Sequence, residues 1–486
     1  GNILSGKRNK STKSSKEMDA LVGKMKKAGL PKAAVDAFCM NYEQLVAGVT
    51  GMLPDSEIDA IADLPRLAAI KGDATAEKMT EILKQTAVLK LNGGLGTSMG
   101  LEKAKSLLVV KDGKTFLDII AEQIKHTRNT FGSNVRFILM NSFSTSADTL
   151  AHLRKTHPDI AAEADLELLQ NKSPKIDAAS LGPASWPKAP DNEWCPPGHG
   201  DIYPSLLGSG MLDRLIKEGI KYVFVSNSDN LGATLDLNLL QYFADSGKSF
   251  VMEVAERTAA DKKGGHLAKR KADGKLVLRE SAMCPKEDED KFQDIGMHKF
   301  FNTNNLWVNL PKLKAAMDAA GGVMKLPLIK NNKTVDPRDK ASTKVLQLET
   351  AMGSAIECFE DSGAVVVPRE RFAPVKTCAD LFALRSDAYT TTEDARVVLA
   401  QATQPVVKLD DAYFKLVDDM EAHTVAPPSL TACRKLTVEG EVTFGAGVSI
   451  SGEVTIINQG GGNVTLPAGA YVNETKVLGA KVAVPA

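Results

Sequence analysis

AVLKLNGGLGTSMGLEKAKS, running from Ala87 to Ser106, decides the fold. Its first five residues, Ala87 to Leu91, form a short apolar run of the kind buried on both faces of a parallel sheet. The run stops at Asn92-Gly93-Gly94-Leu95-Gly96-Thr97. A strand that ends in a glycine-rich turn exposes backbone N–H groups suited to phosphate oxygens. Glycine fits there because it accepts positive φ and lets a ligand approach the main chain. Two familiar phosphate loops fail on counting. G-x-G-x-x-G from Gly94 needs glycine at Met99, and G-x-x-x-x-G-K-[ST] needs a lysine where Leu101 follows Gly100. What stays open is phosphate chemistry in another frame, or a tight βα turn without a ligand.

Outward from this turn the period alternates. Apolar strands are expected at Ala87–Leu91, Val135–Met140, Tyr222–Ser226, Phe250–Ala255, Phe300–Val308 and Ala364–Val367. Helical spacing lies between them at Phe116–Thr127, Thr145–His157, Ser209–Glu218, Leu237–Ala244, Lys312–Ala320 and Glu349–Phe359. This alternation predicts an α/β fold with a doubly wound, mostly parallel sheet, whose ligands sit at the carboxyl ends of the strands. Residues 1–65 read as a basic, unstructured start followed by a small helical unit from Glu17. Residues 66–400 form the α/β domain. Residues 401–486 change texture: Leu436, Val442, Val448 and Val454 recur in steps of six among glycines, as do Leu466, Val472 and Leu478. That step predicts a parallel β-helix, with a β-meander as the alternative.

Composition narrows the function classes. The chain has 486 residues, with 60 basic and 60 acidic side chains, so no nucleic-acid partner is indicated. Six dispersed cysteines without a C-x-x-C pair suit reduced thiols and a cytoplasmic location. No apolar run is long enough to span a bilayer. Gly1-Asn2-Ile3-Leu4-Ser5 would fit a myristoylation pattern if a methionine preceded it; a disordered basic tail is the competing reading. Val484-Pro485-Ala486 is not an S-K-L address, though a peroxisome-like compartment stays open.

Four further strings carry chemistry. Asn227-Ser228-Asp229-Asn230-Leu231 follows an apolar strand, where a single carboxylate can hold magnesium beside a triphosphate. An Asx turn would look the same. Trp194-Cys195-Pro196-Pro197-Gly198-His199-Gly200-Asp201 is a rigid turn presenting a histidine, with too few ligands for zinc. In Phe300–Trp307, Asn302 and Asn304 fall on one face of a strand and suit sugar hydroxyls. Arg371-Phe372-Ala373-Pro374-Val375-Lys376-Thr377 places a lysine in an apolar loop after a strand.

Together, L-N-G-G-L-G-T-S-M-G with Lys105-Ser106, P-P-G-H-G, N-x-D-N-L and R-F-x-P-V-K-T resemble the signature of the eukaryotic UDP-glucose pyrophosphorylases, over roughly residues 75 to 480. The resemblance implies a Rossmann-like nucleotidyltransferase fold with a C-terminal left-handed β-helix, which some members use for self-association. It implies that MgUTP and glucose 1-phosphate give UDP-glucose and pyrophosphate by in-line attack at the α-phosphorus. It assigns the UTP side to Leu91, Asn92, Gly93, Gly94, Lys105, Gln170, Gly198, Asn227, Ser228, Asp229 and Lys376. Asp229 would hold the Mg2+, and Lys105 and Lys376 would be catalytic. His199, Gly265, Glu280, Asn302 and Asn304 would bind the sugar phosphate, with a departure at Arg279-Glu280-Ser281, where the family more often has an apolar residue beside the glutamate. Gln170, which selects uracil in that family, would not stand out unaided. The nucleophile is already anionic, so charge stabilisation rather than a general base is expected. Pyrophosphorylases for other UDP-sugars or UDP-N-acetylhexosamines share the UTP half and are the nearest alternative. An NAD-dependent oxidoreductase is disfavoured by Met99, and a non-catalytic sensor by the two lysines.

Overall fold

The computed structural model describes residues 3–479, with side chains from residue 15 onward. Gly1 and its acylation pattern, and Val484–Ala486, lie outside the described residues. Helix α1 (Ile3–Lys27) begins well before Glu17, so the basic stretch expected to be unstructured is helical; α2 (Lys32–Val46) follows. Their buried face, including Leu21, Met25, Phe38 and Tyr42, packs on Ile176, Leu346 and Leu348.

One sheet of ten strands organises the chain. In chain order they are β1 (Ile58–Ala60), β2 (Thr86–Asn92), β3 (Arg136–Asn141), β4 (Glu167–Leu169) and β5 (Tyr222–Asn227), then β6 (Phe250–Glu256), β7 (His266–Arg270), β8 (Leu276–Arg279), β9 (Phe300–Asn309) and β10 (Gly363–Val366). The order is β1-β7-β9-β5-β2-β3-β4, with β6 and β10 beyond β9 and β8 on β7. Strands β2 to β7 and β10, seven of the ten, run one way, while β1, β8 and β9 oppose them. The fold is thus mixed α/β with a mostly parallel sheet.

Both faces are covered, as apolar runs without strict alternation require. Val88, Phe137, Leu139 and Phe224 face one core, and Ala87, Leu89, Ile138 and Val225 the other. Burial of each of these side chains larger than alanine stabilises by roughly 1.5–3 kcal/mol. Lys90 lies on the same face as Val88 and is also buried. The helices stand close to their predicted bounds: α3 (Phe116–Phe131), α4 (Ser146–Thr156), and, after α5 (Ile202–Gly208), α6 (Met211–Lys217), α7 (Leu237–Ser246) and α8 (Leu310–Ala319). Thr115 and Asp118 form the capping box of α3, and Gly132 closes it in the left-handed conformation.

One expected helix is absent. Glu349–Phe359 is instead the end of strand Lys344–Glu349 followed by a 3-10 segment, Met352–Cys358. Met352 through Ile356 are buried at every position, which a one-sided helix cannot achieve. Strand β9 carries a second surprise. Between the pairs Met252↔Leu306 and Val254↔Asn302 it gains residues, forming a bulge at which Asn304 takes φ +61°.

From residue 406 the strands β11 (Val406–Lys408), β12 (Ser429–Glu439), β13 (Val442–Phe444), β14 (Val448–Asn458), β15 (Val464–Leu466), β16 (Gly469–Val472) and β17 (Thr475–Leu478) pair only in parallel. These strands pack on the helix Cys378–Arg385 through Phe444, whose ring lies 5.0 Å from that of Phe382. No described helix is long and apolar enough to cross a membrane.

Candidate active site

The strand ends of β2, β3 and β4 are tied by a polar ladder. Asn92 donates from Nδ2 to Asn141 Oδ1 (2.7 Å) and Thr149 Oγ1 (3.0 Å), and Asn141 Nδ2 donates to Glu167 Oε1 (2.7 Å). The Ser228 N–H donates to the Leu91 carbonyl at 3.1 Å, and Ser228 Oγ to Asn92 Oδ1 at 3.3 Å. Asn92 therefore supports the loop from beneath, buried among protein partners. A Cβ on Gly93 would stand 2.9 Å from Gln170 Oε1, whereas Gly94 faces open space. Gly96 needs its φ of +65°, and a Cβ there would press on Lys105.

The loop delivers a charged pair. The Lys105 N–H donates to the Gly94 carbonyl at 3.0 Å, and Lys105 Nζ meets Asp229 Oδ2 at 2.7 Å. These side chains keep 15 and 22 % exposure, so both can still be reached. Asn227 pairs with Leu91 across β5 and β2, placing Asp229 just past the strand end.

Gln170 and the Pro-Pro-Gly turn form a second wall. Gln170 Nε2 donates to the Gly198 carbonyl at 3.1 Å, leaving Oε1 above Gly93. Gly198 sits at φ +80°, and a Cβ there would stand 2.5 Å from the Thr350 carbonyl oxygen. His199 Nδ1 accepts from the Met352 N–H at 2.9 Å, so the ring proton lies on Nε2. Burial pushes the imidazole down to about 4, which keeps it neutral near pH 7.

The expected sugar residues fall into two pairs. A Cβ on Gly265 would stand 2.4 Å from Glu280 Oε2, and burial raises the Glu280 carboxyl above its ordinary range. Asn302 Nδ2 donates to Asn304 Oδ1, and the Asn304 N–H to Asn302 Oδ1, each at 2.9 Å. The two asparagines meet because of the bulge, not through regular strand alternation. Arg279 turns away from Glu280, with its guanidinium 3.4 Å from both Asp55 and Asp288. A Cβ on Gly353 would stand 2.8 Å from Asn302 Nδ2. The segment Thr350–Gly353 thus touches Gly198, His199 and Asn302 at once. Sequence reading missed it by placing it in a helix, although Gly353 in an apolar run was a usable sign of close approach.

The loop carrying Lys376 docks on the one carrying Asp229. The Val375 N–H donates to the Asp229 carbonyl (3.1 Å), the Ala373 N–H to Asn230 Oδ1 (3.0 Å), and Asn230 Nδ2 to the Arg371 carbonyl (3.0 Å). Lys376 itself is exposed, with Nζ 5.6 Å from the centroid of Phe372, and forms no ion pair among the described residues. Beneath this loop Glu253, fully buried, accepts Arg371 Nε and Nη2 at 2.7 Å each, with Asn305 Nδ2 and Trp307 Nε1 at 3.0 Å. No reading of isolated motifs singled out Glu253 or Lys90.

No three His, Cys, Asp or Glu side chains converge as a metal cage among the described residues. Asp229 offers one carboxylate at a strand end, a donor set that fits a hard cation carried largely by phosphate oxygens and water.

An α/β sheet that gathers a glycine-rich turn, a lysine–carboxylate pair and a second lysine at its strand ends has the layout of a nucleotide-phosphate-handling protein. The comparisons make the assignment particular. A family model described as UTP--glucose-1-phosphate uridylyltransferase matches residues 38–451, and the chain belongs to that family. The UTP--glucose-1-phosphate uridylyltransferase of Solanum tuberosum is 38 % identical over 429 residues, covering 87 % of this chain and 86 % of its own. A protein of Schizosaccharomyces pombe described as a probable UTP--glucose-1-phosphate uridylyltransferase is 38 % identical over 406 residues, covering 82 and 78 %. A variant UDP-glucose pyrophosphorylase of Leishmania major, solved in complex with UDP-glucose, superposes with a TM-score of 0.90 at 46 % identity, covering 96 % of this chain and 99 % of that one. A UDP-glucose phosphorylase of Trypanosoma brucei superposes with a TM-score of 0.86 at 49 % identity, covering 95 and 99 %.

Proposed function

We propose that this protein transfers the uridylyl group of UTP to glucose 1-phosphate, reversibly, giving UDP-glucose and pyrophosphate. The observation that carries the reading is the Lys105–Asp229 pair, half-open at the strand ends and tied through Val375 to the loop of Lys376. A phosphate oxygen of the sugar phosphate attacks the α-phosphorus in line, and pyrophosphate leaves. Lys105 and Lys376 supply positive charge where the triphosphate charge gathers, and the loop backbone from Leu91 to Gly94 positions the nucleotide. Gln170 reads the uracil edge, with Gly198 as its backbone partner. Asn227 and Ser228 fix the Asp229 turn. Neutral His199, donating from Nε2, orients the sugar phosphate, and Gly265, Glu280, Asn302 and Asn304 line the hexose side. A divalent cation, magnesium by its preference for oxygen and phosphate, would be held by Asp229 and would neutralise phosphate charge.

The same reading divides the chain into a helical start (1–65), a catalytic domain (66–400) and a C-terminal left-handed β-helix (401–486), supported by parallel pairing and the six-residue step. Self-association through that stack belongs to the proposal, because β16 and β17 pair on one side only among the described residues. A cytoplasmic location agrees with six free cysteines. The test is pyrophosphate release from UTP and a panel of sugar 1-phosphates, with and without magnesium. Turnover that is strongest with glucose 1-phosphate and lost on chelation is expected. Turnover with N-acetylhexosamine phosphates alone would overturn the hexose assignment.

A further inference from the structure

Asp201 is a buried carboxylate, 4 % exposed, to which the reading above gives no role. It stands at the start of α5, where an aspartate ordinarily caps its own helix, yet it makes no capping hydrogen bond. Its oxygens turn elsewhere. Oδ2 accepts the Asn171 N–H at 2.8 Å and the Ser205 hydroxyl at 2.7 Å, and Oδ1 accepts Asn171 Nδ2 at 3.1 Å. No lysine or arginine pairs with it among the described residues, so a charge is held in the interior by neutral donors alone. Burial lifts its carboxyl to about 6 against the pull of those hydrogen bonds. Such an arrangement is costly for a purely structural link, which two neutral side chains would serve as well.

The placement shows what it does. Asn171 directly follows Gln170, and Asp201 follows Gly198 and His199 by two or three positions. The two segments are therefore tied twice, by Gln170 Nε2 on the Gly198 carbonyl and by Asn171 on Asp201. The first tie uses one amide hydrogen of Gln170, so the second must hold the backbone if Oε1 is to stay above Gly93. Phe38 and Asn41 of α2 line the small cavity behind Asn171 and Asp201, which closes the tie from the far side.

We propose that Asp201 is a positioning residue that sets Gln170 at the height needed to read the pyrimidine edge of the nucleotide, and so governs the preference for UTP over CTP. This rests on Gln170 as the base reader. The test compares D201N, Q170A and the double variant of the full chain, measuring kcat and KM for UTP and for CTP, with thermal unfolding alongside. In D201N the KM for UTP should rise roughly tenfold, as expected for losing hydrogen bonds to a charged group, with kcat nearly unchanged. The UTP over CTP preference should fall by the same factor. The double variant should be no worse than Q170A, because both act through one amide. A lower Tm with an unchanged UTP over CTP ratio in D201N would reduce Asp201 to a structural link and overturn the proposal. An unchanged ratio in Q170A would overturn the base-reader assignment itself, and the positioning role with it. If D201N does not fold, N171A removes one donor and leaves the carboxylate; a shift of about two- to threefold in the same ratio is expected, and none refutes the proposal.

Discussion

Two ion pairs lie at different depths under the same loops. Arg371–Glu253 is buried, bidentate, and completed by Asn305 and Trp307. Lys105–Asp229 is a single contact in a half-open site. In the first pair both oxygens of Glu253 are taken by protein donors, so it serves as a scaffold that holds the Arg371–Lys376 loop. The second consists of an ammonium and a carboxylate that would each gain from a better partner, phosphate for one and a cation for the other. Charged residues of the same kind are thus divided between support and chemistry by burial and by how fully each is satisfied.

Removing one partner of the buried pair breaks the comparison most severely. Glu253→Ala leaves Arg371 unpaired in the interior and should cost about 3–5 kcal/mol of stability, read by urea unfolding. Lys376→Ala should lower kcat by roughly 10²- to 10³-fold while the unfolding midpoint stays put. Activity near normal in that variant would remove Lys376 from the catalytic assignment. Asp229→Asn should raise the magnesium concentration needed for half-maximal rate by about tenfold, as loss of a charge-assisted contact predicts, with little change in stability.

Lys90 sharpens the same contrast through pH. Its Nζ donates to Ser226 Oγ (2.7 Å) and the Ala233 carbonyl (2.6 Å), with no carboxylate against it. Burial first, and Arg371 next, push it down to about 7 from 10.5, while Glu253 pulls the other way. Between those values the unfolded chain binds the extra proton, so this group makes stability rise as pH rises from 7 towards 10.5. Lys90→Met should flatten that slope relative to the parent, measured by unfolding at a series of pH values. The smallest effect belongs to the surface: Lys78→Ala, which loses an exposed contact with Asp245, should cost less than about 1 kcal/mol.

Much of the site was legible because its signals are local. Asn92 to Gly100 announces a sharp turn by composition, and the apolar spacing of Phe116–Thr127 announces a helix. The bulge at Asn304 was not legible, since Asn302 and Asn304 fit one face of a regular strand equally well and the shift shows only in the register against β6. Thr350–Gly353 was read as helix because its apolar spacing suits one, and only contact with Gly198 and His199 holds it otherwise. Glu253 looked like one acid in an apolar strand until Arg371, 118 positions away, closed on it.

The sequence alone determined the alternation of strands and helices, the phosphate-type turn at Gly93–Gly96, the family, and the residue types available for charge and hydrogen bonding. These depend on period, on backbone freedom and on neighbours within a few positions. Tertiary structure decided the antiparallel course of β9, the pairing of Lys105 with Asp229 and of Arg371 with Glu253, and which lysine is buried. Those outcomes require segments distant in sequence to come together, 124 positions apart for Lys105 and Asp229 and 118 for Arg371 and Glu253, and burial and partner distance exist only once they do.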